Sequence, residues 1–188
     1  MGAPRKAIMS VLKRSTALLA ATAAVVGTAV VTASPAAALS YKCSTSTKSI
    51  DDPRMYGPWA DNWDITVSVC SARSGSTAYT YAKVSWDGPV YAEIDDTAIF
   101  DDAYLRVSIS KSVAGTDPMV KKVYFSSNFE SRLENSDGWG NYNNSFTSSV
   151  ISYPVGSTRS YGGAQLALDW DNDGRSYQYH PYTPSPLV

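Results

Sequence analysis

Alternation of apolar and polar residues is the feature that most constrains the fold of this chain. Every second residue of NWDITVSVC is apolar, namely Trp63, Ile65, Val67 and Val69. The segments TAYTYAKVSW, AYLRVSIS and AQLALDW repeat the pattern, whereas helical periodicity is almost absent. Because successive side chains of a strand point to opposite faces, these segments are predicted to be half-buried strands.

Turn residues separate these segments at short intervals. RSGS joins the first two into a predicted hairpin, and VYAEI, MVKKVYFS and SFTSSVIS are further candidate strands. The lysines of MVKKVYFS favour an edge position, where charge discourages pairing with other chains. About seven or eight short strands predict an all-β fold, an antiparallel two-sheet sandwich, with a small β-barrel as the alternative.

The first 38 residues have the organisation of a secretory signal peptide. Basic residues precede an uncharged, apolar run over residues 16–33, and an A-x-A cleavage sequence occupies residues 36–38. The run approaches the length of a membrane anchor, but its Ala, Thr and Gly content favours cleavage. We therefore predict a small exported bacterial protein, secreted to the extracellular space and not held at the membrane after cleavage. Residues 39–188 are the size of one domain, with a Pro-rich C-terminal tail over 181–188.

The charge of residues 39–188 argues against nucleic acid as a partner. The predicted signal peptide takes four of the 16 Lys and Arg residues and none of the 17 acids, so 12 bases face 17 acids, a net charge of −5. A phosphate backbone would be repelled, and the chain has no basic run that could follow one.

The two cysteines, Cys43 and Cys70, predict one disulfide, because an even number of cysteines behind an export signal is typical of oxidised proteins. The bridge would tie the new N-terminus onto the first strand, and closing this loop is worth roughly 3–4 kcal/mol. Two cysteines and one histidine are too few for the usual four-ligand zinc site.

The segment LDWDNDGRSYQYH contains Asp169, Asp171 and Asp173 at the spacing of a calcium-binding loop. An EF-hand loop needs flanking helices and a glutamate at its twelfth position, where this chain has His180. Asn-Asp-Gly between two alternating segments instead predicts the turn of a β-hairpin. A calcium site of another kind at the three aspartates is the alternative, and otherwise no cofactor is expected.

No residue pattern identifies a reaction, and no catalytic residue is assigned. The single histidine, His180, lies at the start of the Pro-rich tail, which is a poor place for a rigid base. Adjacent carboxylates occur at residues 51–52, 95–96 and 101–102, but neighbours on a strand face opposite ways and do not form a catalytic pair by themselves. The chain therefore favours a non-enzymatic function.

The aromatic residues carry the functional prediction. Trp63, Trp86 and Trp170 align with aliphatic residues and are expected in the core. The long irregular segment over residues 126–145, with room for one helical turn, carries Trp139 and Tyr142 among polar residues, and Trp59 and Tyr56 lie in another turn-like stretch. Packing of Trp139 onto the core edge is the structural alternative.

These four rings, on a disulfide-stapled scaffold, favour a secreted, non-catalytic interaction module. Rigid aromatic side chains contribute contact area at small entropic cost, so the expected partner is another secreted or surface protein, bound by an adaptor subunit or an inhibitor. The alternative is a glycan- or cell-wall-binding module that stacks polysaccharide on the same rings. A small secreted glycoside hydrolase comes third.

Overall fold

Two antiparallel sheets and one short helix make up the described part of the chain. The computed structural model describes residues 39–55, 62–90, 99–135, 137 and 140–188. In chain order the elements are β1 (Lys42–Asp51), β2 (Asn62–Ser74), β3 (Thr77–Asp87), β4 (Phe100–Lys111), β5 (Met119–Phe125), α1 (Ser127–Leu133), β6 (Asn144–Thr147), β7 (Ile151–Pro154), β8 (Ser160–Trp170) and β9 (Gln178–Pro181).

The strands form two separate sheets rather than one closed barrel. The first sheet has five strands in the order β1-β2-β3-β6, with β7 also paired to β3, and the second has four in the order β5-β4-β8-β9. The predicted antiparallel sandwich is therefore confirmed. The lysine-containing strand β5 lies at an edge of the second sheet, as predicted.

The described residues contain nine strands, not seven or eight. SFTSSVIS divides into β6 and β7 because Ser148 interrupts the pairing with β3: its Oγ accepts a hydrogen bond from the Ala82 N–H at 3.0 Å. Of VYAEI only Val90 is described, and it forms an isolated bridge with Asn141.

Strand β1 was missed because its sequence, KCSTSTKSID, has almost no apolar alternation. Only Ile50 is buried, yet all ten residues of β1 are in register with β2. Hydroxyl pairs join the outer faces of the two strands: Thr45 to Ser68 at 2.6 Å and Thr47 to Thr66 at 2.7 Å. Pairing with an apolar neighbour thus holds a strand that its own side chains do not predict.

The predicted disulfide is confirmed. Cys43 and Cys70 are directly opposite each other in the β1–β2 register, and their sulfur atoms are bonded. The bridge links β1 to β2. Because only Ile50 of β1 is buried, the hydrophobic effect contributes little to holding β1 in the sheet.

The core contains the apolar side chains of the alternating segments. Trp63, Trp86 and Trp170 are all buried, as predicted, and the Phe100 ring lies 5.5 Å from the ring of Trp63 and 4.7 Å from that of Trp170. Burying a Phe, Leu or Val side chain contributes roughly 1.5–3 kcal/mol, so this layer between the sheets supplies much of the driving force for folding.

The C-terminal tail is part of the second sheet. Beyond β9 it continues along β8: the N–H of Ser185 donates to the carbonyl of Gly162 at 2.9 Å, and Ser160 and Val188 exchange two backbone hydrogen bonds. The prolines of the tail are accommodated because it lies at an edge, where a missing N–H breaks no ladder.

A buried network of hydroxyls joins this tail to the first sheet. The Ser185 hydroxyl donates to Ser71 Oγ at 2.8 Å and accepts from the Gly162 N–H at 2.8 Å, and Ser71 and Thr80 share a hydrogen bond of 2.9 Å. Gly162 packs against this network so closely that an added Cβ would lie 2.3 Å from Thr80 Cγ2. The two sheets are therefore in close contact at this point.

The predicted signal peptide over residues 1–38 lies outside the described residues. The described residues all belong to one compact unit, Ala37–Val188, and none of their helices is long and apolar enough to span a membrane.

Candidate functional site

Three of the four predicted binding residues, Trp139, Trp59 and Tyr56, lie outside the described residues. The fourth, Tyr142, is fully buried, with its ring 6.2 Å from the ring of Trp63. Gly88 permits this arrangement, because a Cβ on it would lie 2.8 Å from the Tyr142 carbonyl oxygen. Tyr142 is a core residue and presents no ring to a partner.

The start of the long segment that carries Tyr142 packs against the core. Its first part is α1, which buries Phe129 and Leu133 between the sheets, and the predicted helical turn is confirmed. Glu134, directly after the helix, accepts a hydrogen bond from the backbone N–H of Phe100 at 3.2 Å. These contacts anchor the start of the segment to β4.

A different aromatic surface lies on the outer face of the second sheet. We call it the tyrosine face, and it consists of Tyr104 on β4, Tyr124 on β5, Tyr179 on β9 and Tyr177 just before β9. Leu105, next to Tyr104, is buried in the core, and Val123, next to Tyr124, is partly buried against it. Because neighbouring side chains of a strand point to opposite faces, the tyrosine rings point outward. Tyr124 is 48% exposed and Tyr179 is 55% exposed.

The four rings are in contact across neighbouring strands. The ring of Tyr104 lies 5.2 Å from the ring of Tyr124 and 5.2 Å from that of Tyr177, and Tyr177 stacks on Tyr179 with centroids 6.2 Å apart. Ala167 lies between Tyr104 and Tyr179 in the register and is fully buried although it faces outward. The rings therefore form a continuous layer over the sheet.

Burial and close neighbours alter the phenol groups of this layer. Burial, together with the hydroxyl of Tyr179, raises the pKa of Tyr104 to about 12. The hydrogen bond that the Tyr177 hydroxyl donates to a carboxylate oxygen of Asp102 raises the pKa of Tyr177, and burial adds to this effect. Both phenol groups therefore stay neutral at physiological pH.

Three carboxylates form the acidic end of the tyrosine face: Asp101, Asp102 and Asp169. Asp102 on β4 and Asp169 on β8 are directly opposite each other. Asp101 lies next to them, where the β4–β8 register shifts between Phe100 and Asp102. Such cross-strand neighbours have Cβ atoms about 4.5–5.5 Å apart, so their charges repel. Burial raises the pKa of Asp169, and the carboxylates of Asp101, Asp173 and Asp102 raise it further.

Cationic side chains lie towards the opposite end of the face. The Lys122 ammonium lies 5.6 Å from the centroid of the Tyr124 ring, and Arg106 is level with Tyr124 in the β4–β5 register. The only ion pair among the described residues joins Arg54 to Asp52, so neither cation neutralises the acidic end. The tyrosine face is therefore negatively charged at one end and positively charged at the other.

The aspartate segment forms the predicted hairpin. It connects β8 to β9, with Asn172 and Gly174 at positive φ angles of 54° and 68°. The Asp173 carboxylate accepts a hydrogen bond from the backbone N–H of Arg175 at 2.7 Å. The Asp171 carboxylate accepts one from the side-chain amide of Asn172, also at 2.7 Å. In the part of the chain that the structure describes, no three His, Cys, Asp or Glu side chains are grouped to hold a metal ion.

His180 is partly buried at the sandwich edge, on the β9 face that points towards the core. Burial lowers the pKa of His180, and the nearby Lys48 lowers it further. His180 does not line the cleft of about 380 Å³ that lies beside the hairpin turn. The residues that line this cleft are Pro53, Arg54, Asp171, Asn172, Asp173 and Arg175.

The tyrosine face was not predicted from the sequence. A signal was present, since Tyr104 and Tyr124 occupy the outward positions of strands whose other faces are apolar. The sequence does not show that these strands are neighbours, which is what brings the rings together.

Comparisons of the chain with protein-family models, with curated proteins and with solved structures found no match.

Proposed function

We propose that this chain is a secreted, non-catalytic interaction module that binds another extracellular protein, as an adaptor subunit or an inhibitor, through the tyrosine face. The observation that carries the proposal is the layer of four connected tyrosine rings on an open sheet face, two of them about half exposed. The Cys43–Cys70 disulfide is compatible with secretion.

Tyrosine is suited to such a surface. Its side chain has two rotatable bonds, so fixing it in an interface costs little entropy, and its hydroxyl remains available for hydrogen bonding. Here the rings are already held by one another and by the sheet, which lowers the cost of binding further. Strands also position side chains more rigidly than a loop does.

Affinity capture from the culture fluid of the producing organism, followed by titration of the purified captured protein, tests this function. Tyr179→Ala removes the most exposed ring of the face. Truncation of an interface anchor costs about 2 kcal/mol, so we expect roughly 30-fold weaker binding. Tyr79→Ala is the matched control, because Tyr79 faces outward on β3 of the other sheet.

Equal binding by wild type and Tyr179→Ala would overturn the tyrosine face as the contact surface. A third variant, Trp139→Ala, separates it from the segment that the sequence favoured. Loss of binding in Trp139→Ala alone would return the site to residues 126–145.

Glycan binding is the second candidate function. It is favoured by the position of Gln165, Asp102 and Asp169, whose polar groups lie on the same outward face as the exposed rings of Tyr124 and Tyr179. Saturable retention on insoluble polysaccharide, lost in Tyr179→Ala, would support this function in place of protein binding. Release of reducing sugar that is abolished in Asp169→Asn would support hydrolysis.

A further inference from the structure

The acidic end of the tyrosine face carries negative charge that the described residues do not balance. Asp101 is exposed, and neither it, Asp102 nor Asp169 forms an ion pair within the described ranges. One carboxylate oxygen of Asp169 is buried without a hydrogen-bond partner. Unpaired carboxylates this close together repel one another, and a cation bound between them would remove that repulsion.

Aromatic rings adjoin these carboxylates. Tyr177 connects the two groups, because its hydroxyl is bonded to Asp102 while its ring stacks on Tyr179 at an interplanar angle of 29°. The face of an aromatic ring attracts a cation within about 6 Å of its centroid, and the attraction is stronger where water is displaced. Carboxylates next to ring faces are the chemical groups that attract an organic cation.

The charge of the chain distinguishes between possible occupants. Residues 39–188 contain 12 bases and 17 acids, which disfavours a second copy and attracts a basic partner. Lys122 and Arg106 lie away from the acidic end, so a basic group is repelled from that part of the face and directed to the carboxylates. Complementarity therefore favours a positively charged polypeptide segment.

We propose that the tyrosine face docks a basic segment of an extracellular protein, with an arginine or lysine side chain placed between the Asp102–Asp169 pair and the rings of Tyr177 and Tyr179. This inference rests on the proposed function, since it names the class of partner that the face accepts. An arginine fits better than a lysine, because its flat guanidinium both stacks on a ring and bonds to two carboxylate oxygens.

The experiment uses a fluorescent Gly-Ser peptide with four arginines as the probe, titrated with the purified, disulfide-bonded protein. The comparison peptides replace arginine with lysine, with uncharged citrulline or with glutamate. Asp101→Asn/Asp169→Asn removes two charges from the acidic end. Its matched control, Asp64→Asn/Asp87→Asn, removes two charges from an opposed pair on the outer face of the other sheet.

We expect Asp101→Asn/Asp169→Asn to weaken binding of the arginine peptide at least about tenfold, because it removes Asp169 of the proposed pair and the neighbouring charge of Asp101. Asp102 is kept because it accepts the hydrogen bond of Tyr177. The control should change binding less than about twofold. The lysine peptide should bind more weakly than the arginine peptide, and the citrulline and glutamate peptides should not bind measurably. Tyr179→Ala should also weaken arginine binding, which a purely electrostatic attraction would not require.

Four results would overturn the inference. Equal losses in the two double variants would indicate attraction to net charge alone. Unchanged binding in Asp101→Asn/Asp169→Asn would exclude the acidic end, and a dimer that this variant dissociates, measured by light scattering, would assign the face to a second copy. If a captured protein partner is lost in Tyr179→Ala but kept in Asp101→Asn/Asp169→Asn, the proposed function stands and this inference fails.

Discussion

Replacing Gly162 by alanine tests the close contact between the two sheets at this residue. The new methyl group would lie 2.3 Å from Thr80 Cγ2, 2.6 Å from Ser71 Oγ and 2.9 Å from Thr80 Oγ1. Non-bonded carbon atoms are normally about 3.5–4.0 Å apart, so the contact is more than about 1 Å too short. All three atoms belong to fully buried residues that cannot rotate into solvent.

The expected cost follows from these distances. Overpacking of a well-filled core destabilises by about 1–3 kcal/mol, and a shift of Ser71 would weaken its hydrogen bonds by about 1 kcal/mol more. We therefore expect Gly162→Ala to lower the free energy of unfolding by about 2–4 kcal/mol. For a domain of this size, that lowers Tm by roughly 5–15 °C.

Urea unfolding and thermal melts of three variants measure this effect. Gly163→Ala is the matched control, because its added methyl would meet only the rotatable hydroxyl of Ser108, at 2.9 Å. Thr80→Ser, combined with Gly162→Ala, removes the methyl group at 2.3 Å and should recover about 1 kcal/mol or more of the loss. If Gly162→Ala costs no more than Gly163→Ala, or if Thr80→Ser recovers nothing, the packing around Gly162 is not as tight as these distances indicate.

Three further predictions concern stability. Reducing the Cys43–Cys70 disulfide should lower the urea midpoint by an amount equivalent to about 3–4 kcal/mol, and an unchanged midpoint would contradict the loop-entropy argument. Ser185→Ala should cost about 1–3 kcal/mol in the same assay, because it leaves the buried Gly162 N–H without its acceptor. Burial and the neighbouring carboxylates raise the pKa of Asp169 above its ordinary value of 3.8. The folded state therefore favours the protonated form of Asp169. As a result, the stability of the wild type falls as pH rises from about 4 through the raised pKa. Asp169→Asn should therefore be more stable than wild type at pH 7 and no more stable at pH 3, and the opposite order would contradict the assignment.

The core could be predicted from the sequence because strand alternation is a local property. Trp63 and Trp170 follow it directly, and both are buried in the layer between the sheets. Strand β1 could not be predicted in the same way, because its residues gain their place from pairing with β2 and from the disulfide. A strand held mainly by its neighbour leaves little apolar pattern in its own sequence.

The tyrosine face depends on tertiary structure that the alternation does not encode. Tyr104 and Tyr179 come together only because β8 lies between β4 and β9, and the order of strands in a sheet is not readable from side-chain periodicity. The burial of Tyr142 is similar: its surroundings, NYNN, are those of an exposed loop, and the close approach to Gly88 that buries it is a contact between distant segments.

The strand order also has a consequence for how the molecule folds. β1, β2 and β3 follow one another in the chain and pair in the same order. In contrast, β5, α1, β6 and β7 separate β4 from its partner β8 along the chain. Even the closest paired residues of these two strands in sequence are Lys111 and Ser160. Closing that long loop precedes any gain from the contacts, which makes the β4–β8 ladder a slow step. The surface that carries the four tyrosines is therefore expected to appear late, together with the cooperative transition to the native state. Partly folded chains would not compete with native ones for a partner.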